Sequence, residues 1–155
     1  MANPSISVRK ASDAVPLLYR ILLLYFEPIC ALGGVAMVLL NPHKYAETMT
    51  RAAMPPFSDA ADWVWTELAG GWLHFAFTEG VILRLLDDVR AWRLLCIGML
   101  LSDLAYTHSV AQAVGGWNVW LDLRQWSADD WTVTITTWPF VLARLSIVLG
   151  VGLKR

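Results

Sequence analysis

Charge is scarce in this chain. Only 16% of its 155 residues are Asp, Glu, Lys or Arg, against about 25% in ordinary soluble domains. The net charge is -1, so there is no basic excess to hold a nucleic acid, and no nucleic-acid partner is expected. Cysteine is limited to Cys30 and Cys96. Both lie in apolar runs and read as small buried hydrophobes rather than a disulfide or a metal pair. His43, His74 and His108 are scattered over a loop and two helices, which argues against a metal or haem site. Phosphate-binding glycine loops, G-x-S-x-G and H-E-x-x-H are all missing, which removes the common soluble-enzyme motifs. No metal or cofactor is expected, and no cleavable signal peptide is evident in the polar stretch Met1 to Val15.

What is abundant is apolar sequence. Hydrophobic residues make up 57% of the chain, and they are gathered into long blocks. A helix needs about 20 mostly apolar residues to cross a hydrocarbon core. Four stretches are predicted to do so, over residues 16–40, 62–86, 92–114 and 131–153. The second is the most polar, because it carries Glu67, His74 and Glu79. The expected fold is all-α: one membrane domain over 1–155, built as a four-transmembrane-helix bundle. A soluble four-helix bundle would need broad polar faces, and Ile29 to Leu40 or Leu94 to Leu101 offers none.

The connections differ in kind. Residues 41–61 contain Pro42, Pro55 and Pro56 and read as an irregular loop. Residues 87–91 form a tight turn, which makes the second and third spans antiparallel neighbours. Residues 115–130 carry Trp117, Trp120 and Trp126, a composition suited to the membrane–water interface. Four spans put the N-terminus, the 87–91 turn and the C-terminus on one side. That side holds Arg9, Lys10, Arg20, Arg84, Arg90, Arg93, Lys154 and Arg155, and the other holds Lys44, Arg51 and Arg124. The excess predicts cytoplasmic termini and lumenal loops 41–61 and 115–130. The endoplasmic reticulum is the default membrane.

Ionisable groups inside spans are costly and need a partner, a wet cavity or a task. Glu27 lies in the first span, Glu79 in the second, Asp103 in the third and Arg144 in the fourth. Counted from the span ends at 1.5 Å per residue, the four share a depth within roughly two helical turns. The turn centre near Val89 places Glu79 and Asp103 within about 6 Å of each other in depth. Three carboxyls and one arginine cannot all pair as ions, so at least one carboxyl is expected to be neutral and able to donate a proton. Trp72 and Phe75 share a helix face with Glu79, and Tyr106 lies one turn from Asp103. Pro28 withdraws an N–H from the Leu24 carbonyl, and Gly33-Gly34 and Gly70-Gly71 permit close helix approach. The simpler alternative remains open at this point. Arg144 with one carboxylate would then be an ion pair fastening the spans, and Glu67 a solvated interfacial residue.

Several blocks carry a family resemblance. They are Tyr19-Arg20, Leu24-Tyr25-Phe26-Glu27-Pro28, Phe75-Ala76-Phe77-Thr78-Glu79, Leu83-Arg84, Asp88, Arg90 and Trp92-Arg93. Further on are Asp103 with Ser109, Trp117-Asn118-Val119-Trp120, Asp130-Trp131 and the ending Leu149-Gly150-Val151-Gly152-Leu153. Over almost the whole chain this pattern resembles small fungal membrane proteins of the DUF7704 type, whose function is unknown. The resemblance implies a fungal source and four membrane helices. The order Asp103–Tyr106–His108 departs from the family's order there, which leaves His108 without an assignment from it. A looser likeness, in intramembrane acids beside aromatic walls, links the chain to EXPERA-type sterol isomerases and fungal membrane-bound meroterpenoid cyclases.

Two functions are compatible with the sequence. One is a proton-initiated isomerase or cyclase for an apolar, isoprenoid-like small molecule in a biosynthetic pathway. In it Glu79 is the acid, Asp103 the base and Glu27 the orienting group, and Trp72, Phe75, Tyr106, His108 and Arg144 contact the substrate. The other is a non-catalytic membrane component that binds lipids or metabolites, or serves a pathway enzyme as an accessory subunit. Membrane lipids are expected partners in both, as is a pathway enzyme or a second copy of the chain. A proton-coupled carrier fits less well, because the spans show no repeat symmetry.

Overall fold

Side-chain caps mark the starts of three of the helices described below. The computed structural model describes residues 9–53 and 58–154. A four-residue helix, α1 (Ala11–Ala14), precedes α2 (Leu17–Leu40). Asn41 ends α2 and caps α3 (Pro42–Thr50), its side chain accepting from the Lys44 N–H, with Pro42 in the first turn where its missing N–H costs nothing,. Helix α4 spans 62–85. Asp88 caps α5 (Val89–Ala113) by accepting from the Arg90 N–H. Gly115 and Gly116, at φ 105° and 116°, turn the chain after α5 into α6 (Trp117–Trp120),. A reciprocal Ser127–Asp130 capping box opens α7 (Ala128–Leu149),. That helix is interrupted at Thr136-Thr137, between Ala128–Ile135 and Trp138–Leu149. No strand occurs among the described residues.

Three helices among the described residues are long and apolar enough to cross a membrane: Leu17–Leu40, Val89–Ala113 and Ala128–Leu149. The sequence predicts four, and α4 is the predicted span that falls outside this set. Helix α4 has the length, but Glu67, His74, Glu79, Arg84 and three tryptophans make it less apolar than the others. The caps also move two boundaries. Asp88 starts α5 three residues before Trp92, and Ser127 starts α7 three residues before Trp131. The segment 41–61 is not an irregular loop throughout, since α3 occupies much of it. Its Pro55 and Pro56 lie outside the described residues, as does Arg155.

Helix α2 packs along α4, and α5 packs against the Trp138–Leu149 half of α7. One end of the bundle collects the N-terminal segment, the α4–α5 turn and the C-terminal segment. The Val89 N–H donates to the Arg9 carbonyl and the Lys154 N–H to the Ala14 carbonyl. The Ser12 N–H and hydroxyl both donate to the Asp87 carboxylate, at 2.7 and 2.8 Å, and these bonds hold its carboxyl below the usual range,. At the opposite end Arg51 pairs with Asp130 at 3.0 Å, and Thr48 donates to Asp129. The outward faces are apolar: Leu18, Ile29, Leu40, Leu94, Leu104 and Leu149 are each more than 60% exposed. Water would disfavour so much bare apolar surface, whereas hydrocarbon would not.

Two helices carry π turns, at Leu22–Phe26 in α2 and Thr78–Ile82 in α4. These two segments pack on each other. Pro28 leaves the Leu24 carbonyl without its helical donor, and Arg84 of α4 supplies one through Nη2 at 2.5 Å. The same guanidinium lies 4.2 Å from the centre of the Tyr25 ring. Gly34 is where the two helices meet most closely: a Cβ there would lie 2.6 Å from the Trp72 ring. Gly33, Gly70 and Gly71 have open space instead.

Candidate functional site

The π turns place Glu27 just after one irregularity and Glu79 inside the other. Such turns are rare and often mark functional sites. Asp103 comes from the middle of α5 and Arg144 from the second half of α7. All four side chains meet. Arg144 Nη1 donates to Glu27 Oε2 at 2.5 Å and to Glu79 Oε1 at 2.7 Å. Its Nε and Nη2 donate to the two oxygens of Asp103 at 3.0 and 2.9 Å. Arg144 and Glu79 are fully buried, and Glu27 and Asp103 are 8% and 7% exposed. The guanidinium also lies 5.5 Å from the Phe75 ring centre.

The three acids are not equivalent in this arrangement. Asp103 engages Arg144 side-on through two parallel bonds, the strong form of such a pair. One cation then faces two further carboxyls that share a single nitrogen donor. The Glu27 and Glu79 carboxyls thus converge on one nitrogen of a single cation. Glu79 Oε2 and the neighbouring Thr78 hydroxyl are both buried without a hydrogen-bond partner.

Glu27 and Asp103 face an open cavity of about 920 Å³ that runs from the acid cluster toward α3. Trp72, Phe75 and Tyr106 line it, as do Cys30, Gly33, Gly34, Met37 and Gly71. Its length follows α2 from Glu27 to Met37, about 15 Å at the helical rise,. Its volume is in the range of small-molecule sites. Tyr45 of α3 joins the wall, edge-on to Trp65 and Trp72 at 6.0 and 5.5 Å. Burial pushes its phenol up, so it presents a neutral hydroxyl,.

Of the residues singled out from sequence, Glu27, Asp103, Trp72, Phe75 and Tyr106 line this cavity. Glu79 and Arg144 sit behind the two exposed acids, in contact with them but not with the cavity. His108 is elsewhere. It is exposed on α5, where its Nδ1 accepts from the Trp117 indole at 3.2 Å. Glu67 is exposed at the cavity rim, and His74 is exposed outside it. Sequence reasoning missed Tyr45, Met49, Thr136 and Thr137, all of which line the cavity. Asn41-Pro42, a good helix start, was the available signal for α3. Among the described residues no group of His, Cys, Asp and Glu is arranged to hold a metal ion.

No curated protein and no solved structure matches the chain. A family model does, over residues 12–154. On that match, which covers α2 to α7 in full, the chain belongs to the family defined by DUF7704, a domain of unknown function.

Proposed function

We propose that the protein is an intramembrane acid–base enzyme, an isomerase or cyclase for an apolar isoprenoid-like molecule. The observation that carries the reading is the pairing of a ligand-sized aromatic cavity with two carboxyl groups at its inner end, backed by a buried cation and a third acid. The geometry favours roles different from those read in the sequence. Glu27 reaches the cavity and is assigned as the acid, and Glu79 behind it, held by the same Arg144 nitrogen, is the positioning partner. Asp103, ionised against Arg144, faces the cavity as the base. Protonation of an epoxide oxygen by Glu27 breaks a C–O bond and leaves a carbocation. The faces of Trp72 and Phe75 stabilise that charge. An internal alkene closes on the cation, and Asp103 removes a proton from the neighbouring carbon. The proton returns to Glu27, so the net reaction is an isomerisation.

The reading includes four spans. Helix α4 crosses beside α2 because Arg144 neutralises Glu79 and Arg84 lies near the terminal end, where it can reach the interface. The charge excess at that end supports cytoplasmic termini, and the endoplasmic reticulum and a fungal biosynthetic pathway remain the proposed setting. The test incubates microsomes bearing the chain with a terminally epoxidised farnesol. A new product of unchanged mass is expected, reduced at least about 100-fold in Glu27→Gln and Asp103→Asn at equal expression. Full product formation by both variants would falsify the catalytic roles.

One observation favours a second reading, a non-catalytic binding or accessory protein. Arg144 commits four hydrogen bonds to the acids, which is also how a purely structural clamp would be built. Retention of an apolar molecule by the purified protein, with no turnover of any epoxide or alkene offered, selects that reading.

A further inference from the structure

The charges around the cavity bear on what enters it. Glu27 and Asp103 stand at its inner end, and Glu67 and Asp129 at its outer end. Lys44 is the one lysine or arginine among its lining residues, and it is already 3.8 Å from Glu47. The one buried cation, Arg144, is turned away and satisfied by carboxylates. A phosphate or diphosphate group would therefore meet acid at both ends, against a single lysine that Glu47 already attends,. Arginine forks and lysine clusters are usual means of holding such groups, and neither lines this cavity; the first turns of α3 and α7 reach its outer end, but that of α7 carries Asp129 and Asp130. What the walls do offer near the outer end are hydroxyl oxygens, from Thr48, Ser109, Thr132 and Thr136, each already donating its proton within the protein and so left to accept one. Thr132 and Thr136 lie one turn apart on the broken helix α7. The opposite wall, along Gly33, Gly34 and Met37, is apolar.

We infer that the ligand is a neutral amphiphile, an apolar chain ending in a hydroxyl group that donates to these oxygens, and that phosphorylated isoprenoids and other anionic lipids are excluded. This rests on the enzyme reading for the identity of the inner end, but its own claim concerns charge alone. The polar head lies against the α7 hydroxyls, and the chain runs inward to Glu27 and Asp103. The inference implies that a dephosphorylating or oxygenating reaction precedes this protein, since chains of this class are assembled from diphosphates.

The full chain in phosphatidylcholine nanodiscs, loaded separately with radiolabelled farnesol and farnesyl diphosphate, tests this. Gly71 lines the cavity and has nothing within 4 Å of an added Cβ, so Gly71→Phe is chosen to put a ring into that space. Gly98 is equally open but lies off the cavity, so Gly98→Leu is the control. Farnesol should be retained at least about tenfold over the diphosphate, as like-charge exclusion requires. Its retention should fall to the empty-disc level in Gly71→Phe and persist in Gly98→Leu. Equal or better retention of the diphosphate overturns the inference, as does farnesol retention that Gly71→Phe leaves unchanged, or no retention of either. Epoxide turnover, measured separately, distinguishes the two readings. Diphosphate binding with turnover intact removes only the neutral-ligand inference, whereas farnesol binding without turnover removes only the enzyme.

Discussion

Replacing Arg144 with methionine keeps much of the side-chain volume and removes the charge. The guanidinium is fully buried and donates four hydrogen bonds to three carboxyls. Its loss leaves Asp103 as an ion with no cation and strips Glu27 and Glu79 of their shared donor. Breaking a buried pair by removing one partner costs about 3–5 kcal/mol. Removing both partners of the side-on pair should cost less than the two single changes together, because Asp103→Asn abolishes the stranded charge. Contacting residues of this kind couple by about 0.5–3 kcal/mol, and the bidentate geometry argues for the upper half of that range. Unfolding in mixed micelles by SDS titration, followed by circular dichroism, gives the four corners of the cycle: wild type, Arg144→Met, Asp103→Asn and the double variant. Additive losses, or a loss below about 1 kcal/mol in Arg144→Met, would show that the cluster is not held by this cation and would refute the account of which acid is ionised.

Three further outcomes follow from local geometry. Arg84→Met should destabilise the chain by about 1–3 kcal/mol, because the Leu24 carbonyl loses the guanidinium donor,. Adding Pro28→Ala restores a helical N–H and should recover much of that in the same titration. The docking of the N-terminal segment depends on the Asp87 carboxylate, whose pKa is lowered by Ser12. A depressed pKa gives stability that is present above the unfolded value, about 3.9, and lost as pH falls through the folded one. Amide exchange at Ser12 should therefore be slow at neutral pH and accelerate below about pH 4, and Asp87→Asn should exchange fast throughout. An apolar maleimide should label Cys30, which lines the cavity, and spare Cys96, which is fully buried. Mass spectrometry of the labelled chain reads this directly, and labelling of Cys96 first would contradict the packing.

The meeting of Glu27, Glu79, Asp103 and Arg144 was legible because buried charge is too costly to leave unpaired. Counting residues from span ends gave each a depth, and a common depth for opposite charges has one economical solution. The same counting could not separate the acids that face the cavity from the one behind them. That depends on which way each helix is rotated, and the two π turns change the rotation at Glu27 and Glu79. The difference at α4 has a related cause. A residue that serves the interior, such as Glu79, lowers the hydropathy of a helix whether or not it lies among other helices. Helix α3 was obscured by its prolines, although Pro42 follows Asn41 in a favoured helix start. His108 looked internal because α5 is apolar around it, but it belongs to a face turned toward Trp117.

Each π turn holds one residue more than the α register requires, which makes it the footprint of a single-residue insertion. Inserting one residue rotates everything beyond it by about 100° relative to what came before. In α2 that step lies directly before Glu27, and in α4 it contains Glu79. Deleting one residue from either turn would leave helix length and hydropathy almost unchanged, so insertion into the membrane would proceed as before. The outer half of the helix, with its share of the cavity wall, would nonetheless turn away from its partners. Gain or loss of the acid site is thus separable from membrane anchorage by a one-codon change. Among relatives of this chain, a one-residue gap within Leu22–Phe26 or Thr78–Ile82 would mark members that keep the bundle and have parted with its chemistry.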